Sequence, residues 1–359
     1  MTAVLSAPDG QLATLVEGAK GPTGIGVIGC GYWGPNLIRN FSTLPDAEVR
    51  VVCDFNKERL AHMQRLYPGV CTTMDPDDVV ADPCIDAVAI ATPVRHHFDL
   101  ARRVLEANKH ALVEKPMAAT VEECGKLNAL ARSRGLTLVV GHTFLYSQVI
   151  RKIKEIVDAG EIGDILYISS RRLNLGLFQH DINVAWDLAP HDLSILLYLL
   201  DEHPTAVNCQ GRTHLAGDIE VLTNMSLTFA SGRFATIHSS WIDPSKVRDM
   251  TIVGTRKMIV YDDTEPLDKL KIYDKRVEVP PHYDTFAEFQ YSYHYGGMAA
   301  PFVQQQEPLR VECQDLLDCI RTGARPQSCG HTGQRVVEIL EAASVSLHSG
   351  GARAMVGGA

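Results

Sequence analysis

The sequence predicts an α/β protein of two domains: a doubly wound parallel sheet over residues 25–145 and an α+β domain with a mainly antiparallel sheet over residues 146–350. The chain has 359 residues, a length that suits about two domains. Short apolar runs alternate with longer amphipathic stretches in its first part. After about residue 145 this pattern is lost, and runs in which apolar and polar residues alternate take over.

The first domain is predicted from short runs rich in Val and Ile that stand between amphipathic stretches. The runs read IGVIG, EVRVVCD, DAVAIAT, HALVEK and LTLVVGH, and the helical stretches include PNLIRNFSTL, KERLAHMQRLY and HFDLARRVLEAN. Strands that are apolar on both faces are typical of a parallel sheet covered by helices on both sides. Residues 1–24 show no clear period, and this N-terminal extension stays unassigned.

The second domain begins with a helical pattern, QVIRKIKEIVDAG, and continues in strand-like stretches such as VLTNMSLTF and GRFATIHSSWI. Their period of two is typical of an antiparallel sheet with one exposed face. The helix APHDLSILLYLL interrupts the strands. Two final helical patterns, EPLRVECQDLLDCIRTG and TGQRVVEILEAASVSLHSG, each end in glycine, as helices commonly do.

Composition argues against several classes of partner. A formal charge of −9 and a pI near 5.9 disfavour nucleic acid and anionic membranes, because both require a basic surface. The sequence shows neither the basic start of a signal peptide nor a run of ~18 apolar residues, so we expect a cytoplasmic protein. The nine cysteines lack CxxC spacing and predict neither a disulfide framework nor a zinc site.

A glycine-rich turn, GCGYWG, connects the first predicted strand to the first helix. Gly29 would allow a tight turn, Gly31 would let a pyrophosphate touch the backbone, and Gly34 would let helix and strand pack closely. Asp54 stands 20 residues after Gly34, at the end of EVRVVCD, where a carboxylate can accept both ribose hydroxyls. The order of strand, glycines, helix, strand and acid predicts NAD binding, and NADP is less favoured because a carboxylate repels its 2′-phosphate.

Two further strands end in residues that should border the same ligand. ATPVRHH places Thr92 and Pro93 after the third clear strand, and VEKP places Lys115 after the fourth. Ligands of a doubly wound sheet lie at the carboxyl ends of its strands. Lys115 is therefore predicted to point toward the ligand crevice, and a solvated surface lysine is the alternative.

The segment WDLAPHDL holds Asp187 and His191 four residues apart, which places both on one face of a helix. The carboxylate could orient the imidazole, and His191 could then act as general base on a hydroxyl group. In the structural alternative, Asp187 caps the helix and His191 is a core residue. A metal site drawn from His180, Asp181, Asp187, His191 and Asp192 has no supporting ligand spacing, and we predict no metal.

Together these motifs resemble the glucose-fructose oxidoreductase, inositol dehydrogenase and MocA-type (Gfo/Idh/MocA) family. The resemblance rests on GCGYWG, the Asp54 strand, ATPVRHH, EKP, GEIGDI, DLAPH and CIRTGARP, and it runs from about residue 25 to 350. It implies an NAD(P)-dependent oxidoreductase of sugars or cyclitols, with a Rossmann domain and a second domain whose large open sheet makes homodimer or homotetramer contacts. In this family the Lys–Pro peptide of EKP is often cis.

The resemblance also implies roles for individual residues. Lys115, Asp187 and His191 would be the catalytic residues. The predicted cofactor-binding residues are Gly29, Gly31, Tyr32, Trp33, Gly34, Asp54, Thr92, Pro93, His97, Glu114 and Lys115.

Within the family, GYWGPNLIRNF and the stretch from RRLNLG to DLAPHDLSILLYLL look most like the branch that contains UDP-N-acetylglucosaminuronate 3-dehydrogenases. The expected reaction is hydride transfer at C3 of a nucleotide-linked sugar or uronic acid. Arg172, Asn174 and Asn183 are candidates for substrate binding because they precede the helix and supply a cation and amides for carboxylate or phosphate groups. Arg171 and Arg172 face opposite ways on a strand, so only one can enter the site, and a solvated or interface arginine is the alternative for each. The alternatives are a 3-ketosugar reductase, a cyclitol dehydrogenase and a non-catalytic dinucleotide sensor.

Overall fold

The computed structural model describes residues 21–176, 178–179, 181–214, 219–278 and 292–357. Residues 1–20, most of the predicted N-terminal extension, lie outside this range. Among the described helices, none combines the length and apolar character needed to cross a membrane.

The first domain is a parallel six-stranded sheet in the order β3-β2-β1-β4-β5-β6. This order confirms the predicted Rossmann arrangement, in which two βαβ halves meet between β1 and β4. The strands are β1 (Thr23–Ile28), β2 (Ala47–Cys53), β3 (Cys71–Thr73), β4 (Ala87–Ile90), β5 (His110–Val113) and β6 (Leu138–Val140). The helices between them are α1 (Gly34–Ser42), α2 (Lys57–Leu66), α3 (Pro76–Ala81), α4 (His97–Glu106) and α5 (Val121–Arg134).

The central strands are buried on both faces, as their continuous apolar runs predict. Every residue of β4 is buried, and β1 is buried from Gly24 to Ile28. Helices on either side cover these strands, so that two apolar clusters flank the sheet. Capping residues mark both ends of α5. The Thr120 side chain accepts a hydrogen bond from the Glu123 N–H at its start, and Gly135, with φ +63°, follows its last turn.

The second domain is built on a mostly antiparallel sheet in the order β14-β13-β12-β11-β7-β10-β9-β8-β15. Only β7 and β10 pair in parallel among the pairs described. The strands are β7 (Ile165–Leu175), β8 (Pro204–Arg212), β9 (Leu222–Phe229), β10 (Phe234–Ser240), β11 (Ile242–Gly254), β12 (Met258–Asp262), β13 (Leu270–Glu278), β14 (Ser292–Ala299) and β15 (Ala354–Met355). The predicted fold class is confirmed.

Helices α6 (Gln148–Asp158), α7 (Val184–Leu200) and α9 (Gly330–His348) cover one face of this sheet and share its apolar core. The helix α8 (Pro308–Thr322) has another position: its apolar residues Leu309, Cys313 and Leu316 belong to a core of the first domain, with Leu37 and Phe41. The chain therefore returns to the first domain after the second sheet. The boundary at residues 145 and 146 stays a prediction.

Candidate active site

The glycine turn has the geometry that a bound pyrophosphate requires. Gly29 has φ +100°, and a Cβ there would lie 2.5 Å from the Ala91 carbonyl oxygen. A Cβ on Gly34 would lie 1.9 Å from the Gly29 carbonyl oxygen, so this helix start must be glycine. At Gly31 a Cβ would meet no protein atom closer than 3.9 Å. The two outer glycines thus allow the tight turn, while the middle one leaves open space beside the backbone, and the residues fit a dinucleotide.

Asp54 is held rigidly beside this turn. Its carboxylate accepts a hydrogen bond of 2.6 Å from the Cys30 N–H and one of 2.8 Å from the Asn56 N–H. The Arg59 guanidinium lies 3.7 Å from the same carboxylate. Asp54 therefore sits where it can accept a ribose hydroxyl, while Arg59 adds a positive charge nearby.

A cleft of about 1490 Å³ runs from the glycine turn to the second domain. All the predicted cofactor residues except Gly34 and His97 line it. The second domain contributes Asn174, Asp187, Trp241 and Arg248 to the opposite wall. One cleft thus joins the predicted cofactor residues to two of the predicted second-domain residues, Asn174 and Asp187.

His97 lies behind this wall. It is 1 % exposed, and its ring nitrogens lie 2.8 Å from the Pro116 carbonyl oxygen and 2.7 Å from the Thr92 carbonyl oxygen. Direct cofactor contact, as predicted for His97, does not fit this position. Its ring instead lies between the two loops that follow β4 and β5, within hydrogen-bond distance of one carbonyl group from each loop.

Lys115 and Asp187 meet across the boundary between the two predicted domains. The Lys115 ammonium donates a 2.6 Å hydrogen bond to the Asp187 carbonyl oxygen and lies 3.2 Å from its carboxylate. The Trp241 indole donates a 3.0 Å hydrogen bond to the other carboxylate oxygen. The Lys115–Pro116 peptide is cis. The expected surface-lysine alternative does not fit, since the Lys115 side chain is 9 % exposed.

His191 lies on the same helix, one turn after Asp187, but it is not among the residues that line the cleft, and the carboxylate of Asp187 does not orient it. Among the described residues, that carboxylate bonds to Lys115 and Trp241, and the buried Nδ1 of His191 has no hydrogen-bond partner. The imidazole packs edge-on against Phe144, with ring centroids 5.1 Å apart. Burial, followed by the charges of Lys115 and Arg172, lowers the pKa of His191 well below its usual value. The imidazole is therefore neutral at physiological pH.

The three predicted substrate residues have different surroundings. Arg172 is buried and makes two hydrogen bonds, of 2.8 and 3.2 Å, to the buried carboxylate of Asp192. It stacks over Phe144, behind the cleft, so it supports the wall and does not reach a substrate. Asn183 is the N-cap of α7 and accepts a hydrogen bond from the Trp186 N–H. Of these three residues only Asn174 lines the cleft, and its buried side-chain amide oxygen has no hydrogen-bond partner among the described residues.

Trp241 and Arg248 were missed by the sequence reasoning. Trp241 follows β10 and is 1 % exposed, while Arg248 lies on β11 opposite Arg172. Neither residue has a local motif. Only the pairing of β10 and β11 with β7 brings them beside α7.

No group of three or more His, Cys, Asp or Glu side chains that could hold a metal ion occurs in the described part of the chain. His180, one residue of the alternative metal site, lies outside the described residues. The absence of a metal stays a prediction.

Two family descriptions match the chain. "Oxidoreductase family, NAD-binding Rossmann fold" matches residues 23–142, and "GFO/IDH/MocA C-terminal domain" matches residues 150–260.

Two curated relatives and one solved structure match at low identity over most of their lengths. A UDP-N-acetylglucosamine 3-dehydrogenase of Acidithiobacillus ferrooxidans is 27% identical over 87% of this chain and 93% of its own. A scyllo-inositol 2-dehydrogenase (NAD(+)) of Bacillus subtilis is 26% identical over 84% and 86%. The crystal structure of GenD2 from gentamicin A biosynthesis, in complex with NAD, has a TM-score of 0.79 at 22% identity, covering 98% and 100% of the two chains, and this likeness concerns the fold.

Proposed function

Because this chain belongs to the Gfo/Idh/MocA family of NAD-binding oxidoreductases that act on CH–OH groups, we propose that it transfers hydride between NAD and C3 of a nucleotide-linked sugar or uronic acid. One observation supports a catalytic role above all others. Lys115 from the first predicted domain contacts Asp187 from the second, in the cleft that also contains the glycine turn.

In the proposed reaction His191 removes the hydroxyl proton. A base must be unprotonated before the reaction, and the lowered pKa keeps this imidazole neutral. Lys115 polarises the substrate oxygen, and Asp187 holds its ammonium group in place. NAD, when bound, supplies the nicotinamide carbon that accepts the hydride. Asp187 thus acts on Lys115.

The substrate end of the cleft supports an acidic or phosphorylated sugar. Arg248 lies 3.7 Å from Asp263, whose carboxylate is also 3.1 Å from the Lys269 ammonium. Because Asp263 is shared with Lys269, it neutralises the positive charge of Arg248 only in part. The Arg248 guanidinium can therefore bind a carboxylate or phosphate group. The unpaired oxygen of Asn174 can accept a hydrogen bond from a sugar hydroxyl.

NAD is the favoured cofactor because Asp54 places a carboxylate where NADP carries a phosphate. The Arg59 guanidinium, which lies 3.7 Å from Asp54, can attract the 2′-phosphate of NADP and so allow some NADP binding.

We expect a homodimer or homotetramer formed through the open sheet, whose outer face exposes Tyr167 and Phe234. The cytoplasmic location stays a prediction.

The test is NADH formation from NAD with a panel of UDP-sugars, UDP-uronic acids and cyclitols. We expect turnover with the nucleotide-linked sugars or uronic acids. Turnover with cyclitols alone would favour a cyclitol dehydrogenase, an alternative that the inositol dehydrogenase relative supports.

NADH consumption with 3-ketosugars but no measurable oxidation would favour the reductase alternative. Dinucleotide binding without turnover in either direction would favour a sensor and contradict the proposal.

A further inference from the structure

His97, the first residue of α4, is a buried polar side chain that the mechanism above does not use. It is not among the residues that line the cleft. Its Nε2 lies 2.7 Å from the Thr92 carbonyl oxygen, in the loop after β4, and its Nδ1 lies 2.8 Å from the Pro116 carbonyl oxygen, in the loop after β5. One buried ring therefore contacts two loops that follow neighbouring strands.

The sequence of the two loops explains why a side chain is needed there. Pro93 follows Thr92 and Pro116 follows Lys115, and proline has no N–H, so each loop lacks one backbone donor. A neutral imidazole donates from one nitrogen and a protonated one from both. Burial lowers the pKa of His97, although the two carbonyl groups raise it. In either form the ring supplies a donor that the loops themselves do not.

The loop after β4 adjoins the cofactor side of the cleft. Thr92 lines the cleft, and its buried hydroxyl has no partner among the described residues. The backbone of this loop also abuts the glycine turn, because a Cβ on Gly29 would lie 2.5 Å from the Ala91 carbonyl oxygen and 3.1 Å from the Thr92 nitrogen. A shift of this loop would therefore move both the turn and a hydroxyl that faces the cofactor space.

The loop after β5 carries Lys115, whose ammonium donates a 2.6 Å hydrogen bond to the Asp187 carbonyl oxygen. The Glu114 N–H donates a 2.9 Å hydrogen bond to the Ile90 carbonyl oxygen, at the ends of the two strands. The His97 ring lies beyond this strand pairing, where the chain has already left the sheet. It thus contacts the second loop one residue after Lys115.

We infer that His97 is a positioning residue, which holds the loop of Thr92 and the loop of Lys115 at the separation that hydride transfer requires. This inference rests on the proposed role of Lys115. His97 itself touches neither substrate nor cofactor. Through the Thr92 carbonyl it fixes the wall beside the glycine turn, and through the Pro116 carbonyl it fixes the point from which Lys115 reaches Asp187.

Two substitutions separate the two contacts. The amide nitrogen in His97→Asn can replace Nδ1 and keep the Pro116 contact, whereas that in His97→Gln can replace Nε2 and keep the Thr92 contact. We expect His97→Asn to weaken NAD binding about tenfold with a smaller loss of kcat, since one hydrogen bond contributes about this much. His97→Gln should lower kcat about tenfold and leave NAD affinity within a few-fold. His97→Phe, which keeps neither contact, should show both losses.

A double-mutant cycle tests whether His97 acts through Lys115. In the Lys115→Ala background, His97→Gln should lower kcat by less than about twofold, because the ammonium group that it positions is already absent. The control is Val104→Ala, which removes buried apolar surface two turns after His97 on the same helix. It should lower stability but keep wild-type kcat and NAD affinity.

Equal losses in His97→Asn and His97→Gln, a loss confined to one of them, or an undiminished effect in the Lys115→Ala background would overturn the inference. Failure of the wild-type protein to oxidise any sugar in the panel would instead contradict the proposed function. NAD titration needs no substrate, so unchanged NAD affinity in His97→Asn and His97→Phe would even then overturn the role of His97.

Discussion

The two walls of the cleft, the cofactor wall from the first domain and the substrate wall from the second, differ in how far apart in the chain their contacting residues lie. On the cofactor wall, the glycine turn lies within six residues, and the Cys30 N–H reaches Asp54 only 24 residues away. On the substrate wall, Asp187 is held by Lys115, 72 residues away, and by Trp241, 54 residues away. The glycine turn and Asp54 therefore depend on one βαβ unit, whereas the contacts of Asp187 depend on the packing of two sheets around α7.

The largest expected effect is the loss of turnover in Lys115→Ala. The variant removes the ammonium group that contacts Asp187 and would polarise the substrate oxygen. We expect turnover to fall by roughly 10²–10⁴-fold, the range for loss of a group that assists proton transfer. NAD affinity should change little, because the glycine turn and Asp54 are untouched.

Steady-state kinetics and NAD titration measure the two effects separately. Lys126→Ala, which removes a lysine of an exposed pair with Glu122, is the matched control and should have wild-type turnover. Unchanged turnover in Lys115→Ala would contradict a catalytic role for Lys115.

Asp192→Asn tests whether the substrate wall depends on its buried ion pair. The substitution leaves the Arg172 guanidinium buried without its carboxylate partner. We expect the free energy of unfolding to fall by about 3–5 kcal/mol, the usual cost of breaking such a pair. Asp249→Asn removes the partner of Arg171, which is half exposed, and should cost less than about 1 kcal/mol. Equal costs in denaturant titrations would contradict the supporting role of Arg172.

Trp241→Phe tests the hydrogen bond that holds Asp187. Phenylalanine retains most of the buried apolar surface but lacks the indole N–H. We expect turnover to fall by about tenfold, which is about 1.4 kcal/mol and near the lower limit for a hydrogen bond to a charged group. The matched control is Trp186→Phe, which removes a hydrogen bond to the Ser344 hydroxyl. A similar loss of turnover in both variants would indicate a general packing effect.

The smallest expected effect is that of Asn183→Ala on stability. The Asn183 side chain caps α7, and loss of an N-cap typically costs about 1 kcal/mol. Asn183→Ser should restore most of this stability, because serine is also a good N-cap. If Asn183 binds substrate, as its sequence position suggests, KM would rise in both variants and serine would not rescue it.

Much of the fold and part of the site follow from local patterns. Apolar runs separated by amphipathic stretches predicted the parallel sheet, and its order is confirmed. The families that match the chain confirm the predicted Gfo/Idh/MocA membership and the oxidoreductase class. The ion pair of Arg172 was not predicted, because Asp192 lies on a helix that packs against β7 only in the folded chain. For the same reason, the sequence did not reveal that α8 returns to the first domain.

By itself, the sequence determined the turn, the strands and the position of Lys115 at the end of β5, since these depend on residues close together in the chain. Only the tertiary structure decided which groups contact Asp187 and why Arg172 cannot reach the cleft. These outcomes depend on strands and helices that pair across tens of residues. Local propensity does not specify such pairings, which are stabilised by burial and by the need to pair buried charges.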